Sequence, residues 1–216
     1  FAGDFLEGDE WDSIMNYQFY HAVMDLVASD RMCASSFVGK LNFMKGNLNR
    51  KLEGYLWNFI DTHDTARFLH SVQNDGRKQK LAAALQLLLP GMPMIYYGDE
   101  VGMDGAMDPD CRRGMLWDPD RQDRGLFGYY QTLIRIRHDH PVLTEGTVVE
   151  QYADDDTGLI YIERTLNGQH IILVFHTREG SAGLQSLQGM KNLVDGSVFT
   201  GTLGDYETVV LVNETA

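Results

Sequence analysis

The sequence predicts an α/β region followed by a small all-β domain, with the change at Pro141. Three observations predict it. Short apolar runs alternate with amphipathic helical spacing over the first two-thirds of the chain, the pattern of a parallel sheet. After Pro141 the helical spacing stops and short β-rich runs replace it. Within that stretch Asn167-Gly168 separates two such runs, the strongest short-range hairpin signal.

Residues 11–17 (WDSIMNY) read as a first strand. Tyr20, Val23, Met24 and Val27 then fall on one helical face, and Phe37, Leu41, Met44 and Leu48 continue the spacing after a polar break. Residues 56–60 (LWNFI) form a second strand-like run that leads into Asp61-Thr62-His63-Asp64-Thr65. Asn74-Asp75-Gly76 marks a loop. Leu81, Ala84, Leu85 and Leu88 mark a helix that Pro90-Gly91 ends. Residues 94–97 are the third strand-like run, followed by a long loop rich in Gly and Asp over 98–124. Leu126, Tyr129, Tyr130 and Leu133 mark a further helix, which stops near Pro141. Beyond it, strands are expected at 159–165, 169–175, 191–194 and 208–212.

Composition narrows the function classes. The chain has 216 residues, enough for one large domain or a large piece plus a small one. Its formal charge of −13 repels phosphate backbones and argues against nucleic-acid binding. No apolar run approaches the ~20 residues that span a bilayer. Cys33 and Cys111 make neither a disulfide framework nor a metal-binding pair. The chain starts at Phe1 rather than Met, as a processed or cloned segment would.

In parallel α/β folds, functional groups collect at the carboxyl ends of strands. The first such end carries Asn16 and Tyr17, the second His63 and Asp64, the third Asp99 and Glu100. His63-Asp64 reads either as a helix cap with a polar neighbour or as functional groups, and its place directly after a buried strand favours function. Asp99-Glu100 reads as a loop-fixing pair, because adjacent residues of an extended segment point to opposite faces. The loop Asp108-Pro109-Asp110-Cys111-Arg112-Arg113 either closes on itself through ion pairs or serves a site. Neither a Gly-x-Ser-x-Gly elbow, nor a His-Glu-x-x-His motif, nor a Gly-rich phosphate loop occurs.

Taken in order, Trp11-Asp12-Ser13-Ile14-Met15-Asn16-Tyr17, Thr62-His63-Asp64-Thr65-Ala66-Arg67 and Gly91-Met92-Pro93-Met94-Ile95-Tyr96-Tyr97-Gly98-Asp99-Glu100-Val101-Gly102 resemble the alpha-amylase family of glycoside hydrolases. The loop 108–113 is similar to that of the neopullulanase, cyclomaltodextrinase and maltogenic amylase branch. The resemblance implies that residues 1–141 are the last three βα units, strands six to eight, of a (β/α)8 barrel, and that 142–216 form a C-terminal antiparallel β-sandwich. It also implies that the Asp nucleophile and the Glu acid/base lie upstream of Phe1. Glu7 and Glu10 would belong to the linking segment.

By the same resemblance, Asp64 stabilises the transition state and His63 hydrogen-bonds the same sugar. Asp110 and Arg113 would contact the next sugar, and Tyr17 would line the site unless it packs in the core. Ala66 and Gly114 stand where the family often has Pro, which loosens both loops. The implied partners are an α-glucan oligosaccharide, the upstream half of the enzyme and a second copy of the chain, with no nucleic acid and no membrane. No cofactor is implied, and calcium binding stays open because no EF-hand spacing occurs. Few cysteines and the branch resemblance point to the cytoplasm, with secretion as the alternative. The isolated chain is expected to be inactive. The competing readings are a non-catalytic carbohydrate-binding or assembly module, and part of a glucan transglycosylase.

Overall fold

A computed structural model describes residues 11–46 and 53–213. The expectations placed on Leu48, Glu7 and Glu10 lie outside them. Three short parallel segments form the first layer, side by side in chain order. Met15 bridges to Trp57, and β1 (Trp57–Asn58) pairs with β2 (Met92–Pro93). The segments are shorter than the apolar runs suggested, and each has a local reason. Asn16 caps the next helix at once, its Oδ1 accepting from Phe19 N at 3.1 Å, so only Met15 of the first run pairs. In the third run the pairing moves from the expected 94–97 to Met92–Pro93. The Gln86 amide takes the Met94 carbonyl at 2.6 Å and the Asn58 carbonyl at 3.3 Å, so a side chain replaces further backbone partners.

Side chains reinforce this small sheet. Asn16 Nδ2 donates to Asn58 Oδ1 at 2.9 Å, and Asn58 Nδ2 donates to Pro90 O at 2.8 Å. One buried asparagine thus ties the first strand end to the chain entering the third.

Helix α1 (Tyr17–Val23) runs into a π-helical turn at Met24–Ala28, and α2 (Ala34–Gly46) follows. Helix α3 (Phe68–Ser71) is a single turn that the apolar spacing did not reveal. Helix α4 (Gly76–Leu88) starts at Asp75, whose carboxylate accepts from Arg77 N at 2.9 Å. The spacing assigned α4 one apolar face, yet every residue from Leu81 to Leu88 is buried. Small Ala82 and Ala83 admit neighbours on the remaining sides, so the helix is core all round. Helix α5 (Arg124–Asp139) buries Leu126, Tyr130, Leu133 and Ile136. Its Arg137 donates to the carbonyls of Leu87 and Gly91 at 2.8 and 2.5 Å, satisfying groups left open where α4 ends.

The C-terminal region is a five-stranded antiparallel sheet in the order β3-β4-β5-β9-β7, with a two-stranded ribbon β6-β8. The strands are β3 (Thr147–Asp154), β4 (Leu159–Leu166), β5 (Gln169–His176), β6 (Ala182–Gly183), β7 (Lys191–Asn192), β8 (Thr202–Leu203) and β9 (Thr208–Val212). The β4–β5 hairpin turns at Asn167 and Gly168 as the sequence predicts, both with positive φ (51° and 83°). β3 was not foreseen. It is an edge strand with a bulge near Val148 and no fully buried residue, so its sequence has no clean alternation.

The sheet is covered on both faces. Leu159, Tyr161, Ile172, Val174, Val209 and Leu211 pack against the ribbon through Ala182, Phe199 and Leu203. Ile160, Ile162, Ile171, Leu173, Phe175 and Val210 join the core of the helical region. The period-2 alternation of strand side chains produces this division. A polar tie crosses the same boundary, where Asp155 accepts from Ser35 N at 2.8 Å and Ser35 Oγ at 2.6 Å at the start of α2.

Candidate active-site segments at the strand ends

The run that contains β1 ends in a tight, self-bonded turn. Thr62 N donates to Thr65 Oγ1 at 2.9 Å and Asp64 N donates to Thr62 Oγ1 at 3.1 Å. These bonds leave His63 and Asp64 projecting outward, each side chain 57% exposed, with His63 Nε2 3.3 Å from Asp64 Oδ1. Neither residue caps α3. Asp61 does so instead, its Oδ2 accepting from Phe68 N at 2.6 Å. The cap reading of His63-Asp64 is therefore excluded, and both side chains are open to solvent.

The loop after β2 reaches this turn. Arg112 Nη2 lies 3.2 Å from Asp64 Oδ1, and Arg112 Nε donates to the His63 carbonyl at 2.9 Å. Arg112 also pairs with Asp108 at 2.9 Å. Its planar fork orients the Asp64 carboxylate while holding two segments that lie 48 positions apart. The sequence reading quoted Arg112 inside the loop motif but gave it no role. The sign that could have found it is a second cation beside Arg113 in a loop rich in acidic residues.

Asp110 and Arg113 meet one another. The guanidinium makes a two-pronged pair with the carboxylate at 2.6 Å for each bond, and Asp110 Oδ2 also accepts from Ala106 N at 2.8 Å. That backbone bond, followed by Arg113, holds the Asp110 carboxyl below the usual carboxylate range. Tyr97 Oη donates to the Arg113 carbonyl at 2.6 Å. The loop does close on itself, and the closure leaves more than half of the Arg113 side chain exposed.

Tyr17 is 41% exposed. Its ring meets Phe59 edge-on at 4.9 Å, and Tyr20 stacks on the other contact of Phe59 at 5.4 Å. Burial raises the Tyr20 hydroxyl above its ordinary range, and the neighbouring Thr65 hydroxyl opposes that shift. Tyr17 thus stands at the first strand end, connected through Phe59 and Tyr20 to the turn carrying His63 and Asp64. Asp99 and Glu100 separate as their adjacency requires. Asp99 is buried on Arg67, while Glu100 accepts from Gly98 N at 2.8 Å. Among the described residues, no three His, Cys, Asp or Glu side chains converge as a cation would require.

The geometry gathers Asp64, His63, Arg112, Asp110 and Arg113 on the loops that follow successive parallel strands. Carboxylates and guanidinium groups beside exposed aromatic rings are the chemistry that recognises a sugar, with hydroxyls to hydrogen-bond and an apolar face to stack.

Comparison with known proteins gives the chain's family. The family model described as alpha amylase, catalytic domain, matches residues 2–120. Neopullulanase 2 of Thermoactinomyces vulgaris is 42% identical over 177 residues, covering 82% of this chain and 30% of that protein. A cyclomaltodextrinase of a Bacillus species is 39% identical over 185 residues, covering 86% of this chain and 33% of that protein. Among solved structures, a cyclomaltodextrinase superposes with a TM-score of 0.84 at 34% identity, over 96% of this chain and 36% of that one. The maltogenic amylase from S. marinus superposes with a TM-score of 0.87 at 28% identity, over 97% of this chain and 30% of that one. The chain spans about a third of the length of these curated relatives.

Proposed function

This chain belongs to the alpha-amylase family, and on that premise we propose that it is the C-terminal portion of a retaining α-glucan hydrolase. The substrates would be maltodextrins, cyclodextrins or pullulan, cleaved at α-1,4 links. Residues 1–141 would supply barrel strands six to eight, in keeping with three parallel segments in chain order. Residues 142–216 would be the β-sandwich, in keeping with a sheet and ribbon packed face to face. The preceding half of the enzyme would carry the nucleophilic carboxylate and the acid/base carboxyl.

The observation that carries the reading is the junction at Asp64. An exposed carboxylate is held by Arg112 and His63 at the meeting point of two strand-end loops. In a retaining mechanism the sugar passes through an oxocarbenium-like transition state on its way to and from a covalent intermediate. Asp64 accepts hydrogen bonds from the sugar hydroxyls beside the reacting carbon. These bonds strengthen as positive charge develops on the ring, which lowers the barrier rather than merely tightening binding. His63 donates to the same sugar. Asp110 and Arg113 hold the next sugar, and Tyr17 offers its ring to an apolar sugar face. The intracellular maltogenic amylase of Bacillus subtilis, 32% identical over 176 residues, favours the cytoplasm as the location.

Asp64→Asn in the intact enzyme tests the assignment. The expected result is a loss in kcat equivalent to about 3–5 kcal/mol with little change in KM. A kcat within threefold of wild type would make Asp64 a structural residue.

A further inference from the structure

Three charged side chains lie fully inside the protein behind the His63–Asp64 turn. Asp61, Arg67 and Asp99 are 1%, 0% and 2% exposed. Arg67 Nη1 donates to the Tyr97 carbonyl at 2.6 Å and to Asp99 Oδ1 at 3.1 Å. The Tyr96 and Tyr97 rings lie 4.3 and 4.8 Å from the centre of its guanidinium. Its Nε and Nη2 have no hydrogen-bond partner, so the ring faces supply their surroundings. Asp61 spends one oxygen on the amide of Phe68. The other, Oδ1, and Asp99 Oδ2 have no hydrogen-bond partner, and the two buried carboxyl groups are near enough to act on one another.

An ionised carboxylate only accepts, so two buried carboxyl oxygens without a donor are satisfied if one of the groups carries a proton that the other accepts. Charge counting gives the same answer. Two carboxylates against one guanidinium leave a net negative charge buried without solvent, which costs several kcal/mol. One proton makes the set neutral.

We infer that Asp61 and Asp99 share one proton at neutral pH, and that this neutral set with Arg67 positions the turn presenting His63 and Asp64. Asp61 stands directly before Thr62, where the turn begins, and Arg67 stands two residues after Thr65, where it closes. The Arg67 amide also donates to the Gly105 carbonyl at 2.9 Å, which ties in the loop carrying Asp110 and Arg113. The consequence for catalysis rests on the reading of Asp64 given above, whereas the shared proton does not.

Burial is the main cause that pushes both carboxyl groups upward, Asp99 well above its ordinary range with the neighbouring Asp61 adding to it. Tyr20 from α1 and Tyr130 from α5 face the pair, Tyr96 and Tyr97 from the third strand end face Arg67, and Glu100 lies near Tyr130. Burial raises Tyr20, Tyr96 and Tyr130, so these phenols stay neutral and Arg67 is the countercharge.

The test uses the 216-residue chain itself. Infrared difference spectra between wild type and Asp99→Asn at neutral pH should show the carbonyl stretch of a protonated carboxyl group, lost in the variant. Asp61→Asn should remove the same band, and serves if Asp99→Asn fails to fold. The native state holds this proton where the unfolded chain releases it, so stability is lost as pH rises. Between about pH 4 and neutrality this one proton lowers the folded-to-unfolded ratio about tenfold per pH unit. Either Asn variant should remove that component, because an amide stands in for the protonated acid. Asp99→Ala should shift the NMR signals of the His63 ring, and Asp99→Asn should restore them. Absence of the band, or an unchanged pH slope in both Asn variants, would overturn the shared proton. A His63 spectrum unmoved by Asp99→Ala would overturn the positioning role. If the band is present while Asp64→Asn of the intact enzyme turns over normally, the failure lies with the assignment of Asp64 alone.

Discussion

Gly91→Ala is expected to be severely destabilising, for two separable reasons. Gly91 has φ 127°, a conformation that a side chain rarely adopts. A non-Gly residue held there costs about 1–3 kcal/mol. A Cβ would also lie 2.5 Å from Asn58 Nδ2 and 2.8 Å from Asn58 Cγ. Asn58 is 1% exposed and cannot retreat into solvent. If it stays, overpacking costs about 1–3 kcal/mol. If it moves, the bonds to Asn16 and Pro90 are lost, at about 1 kcal/mol each. Either route brings the total to about 4 kcal/mol. For a chain of this size that lowers Tm by roughly 8–16 °C. Gly168→Ala is the control, since Gly168 also has positive φ (83°) but no atom lies within 4 Å of its added Cβ. Thermal and urea melts of the two variants separate backbone strain from the Asn58 contact. If Gly91→Ala falls within about 1 kcal/mol of Gly168→Ala, a difference smaller than the overpacking range, the asparagine tie between strands is not holding the sheet.

Arg113→Ala in the intact enzyme should raise KM more for long maltodextrins than for short ones and leave kcat nearly unchanged, because a contact to a neighbouring sugar contributes uniform binding. Equal loss on every chain length would mean that the pair with Asp110 only closes its own loop. The isolated chain should show no turnover of maltotriose or cyclodextrin, and any host-free activity would refute the missing-nucleophile argument. It should also self-associate, since the first and third parallel segments lack outer partners among the described residues, and Trp57 and Met92 are 41% and 40% exposed. Light scattering that gives a clean monomer would show that the helices cover the open sheet. Asp75→Ala should cost about 1 kcal/mol through loss of the α4 cap. The pairing with Arg77 holds the Asp75 carboxyl below its ordinary range, so that contribution is present above the usual carboxylate range and fades as pH falls through it. Equal acid sensitivity of wild type and variant in urea melts at stepped pH would refute this.

Some of this protein was legible in the sequence because the information is local. Helical spacing located α1, α2, α4 and α5, and Asn167-Gly168 located a hairpin whose two positive φ angles only such residues adopt easily. The ordered motifs at the strand ends led to the family, and they raised His63, Asp64, Asp110 and Arg113 as expected site residues before any geometry was known. Other features depended on contacts between distant segments. β3 has no readable pattern because it is an edge with neither face fully buried. The third strand moved because Gln86, on a helix, takes a carbonyl that a strand would otherwise use. Arg112 gained its role only when folding brought a loop to a turn 48 positions away. Arg67, the only Lys or Arg between Lys51 and Arg77, could be noted in the sequence. That it lies buried against two tyrosine rings and faces a carboxyl pair is decided by tertiary structure alone, since burial converts an ordinary Asp, Arg and Asp into groups that must share charge and proton.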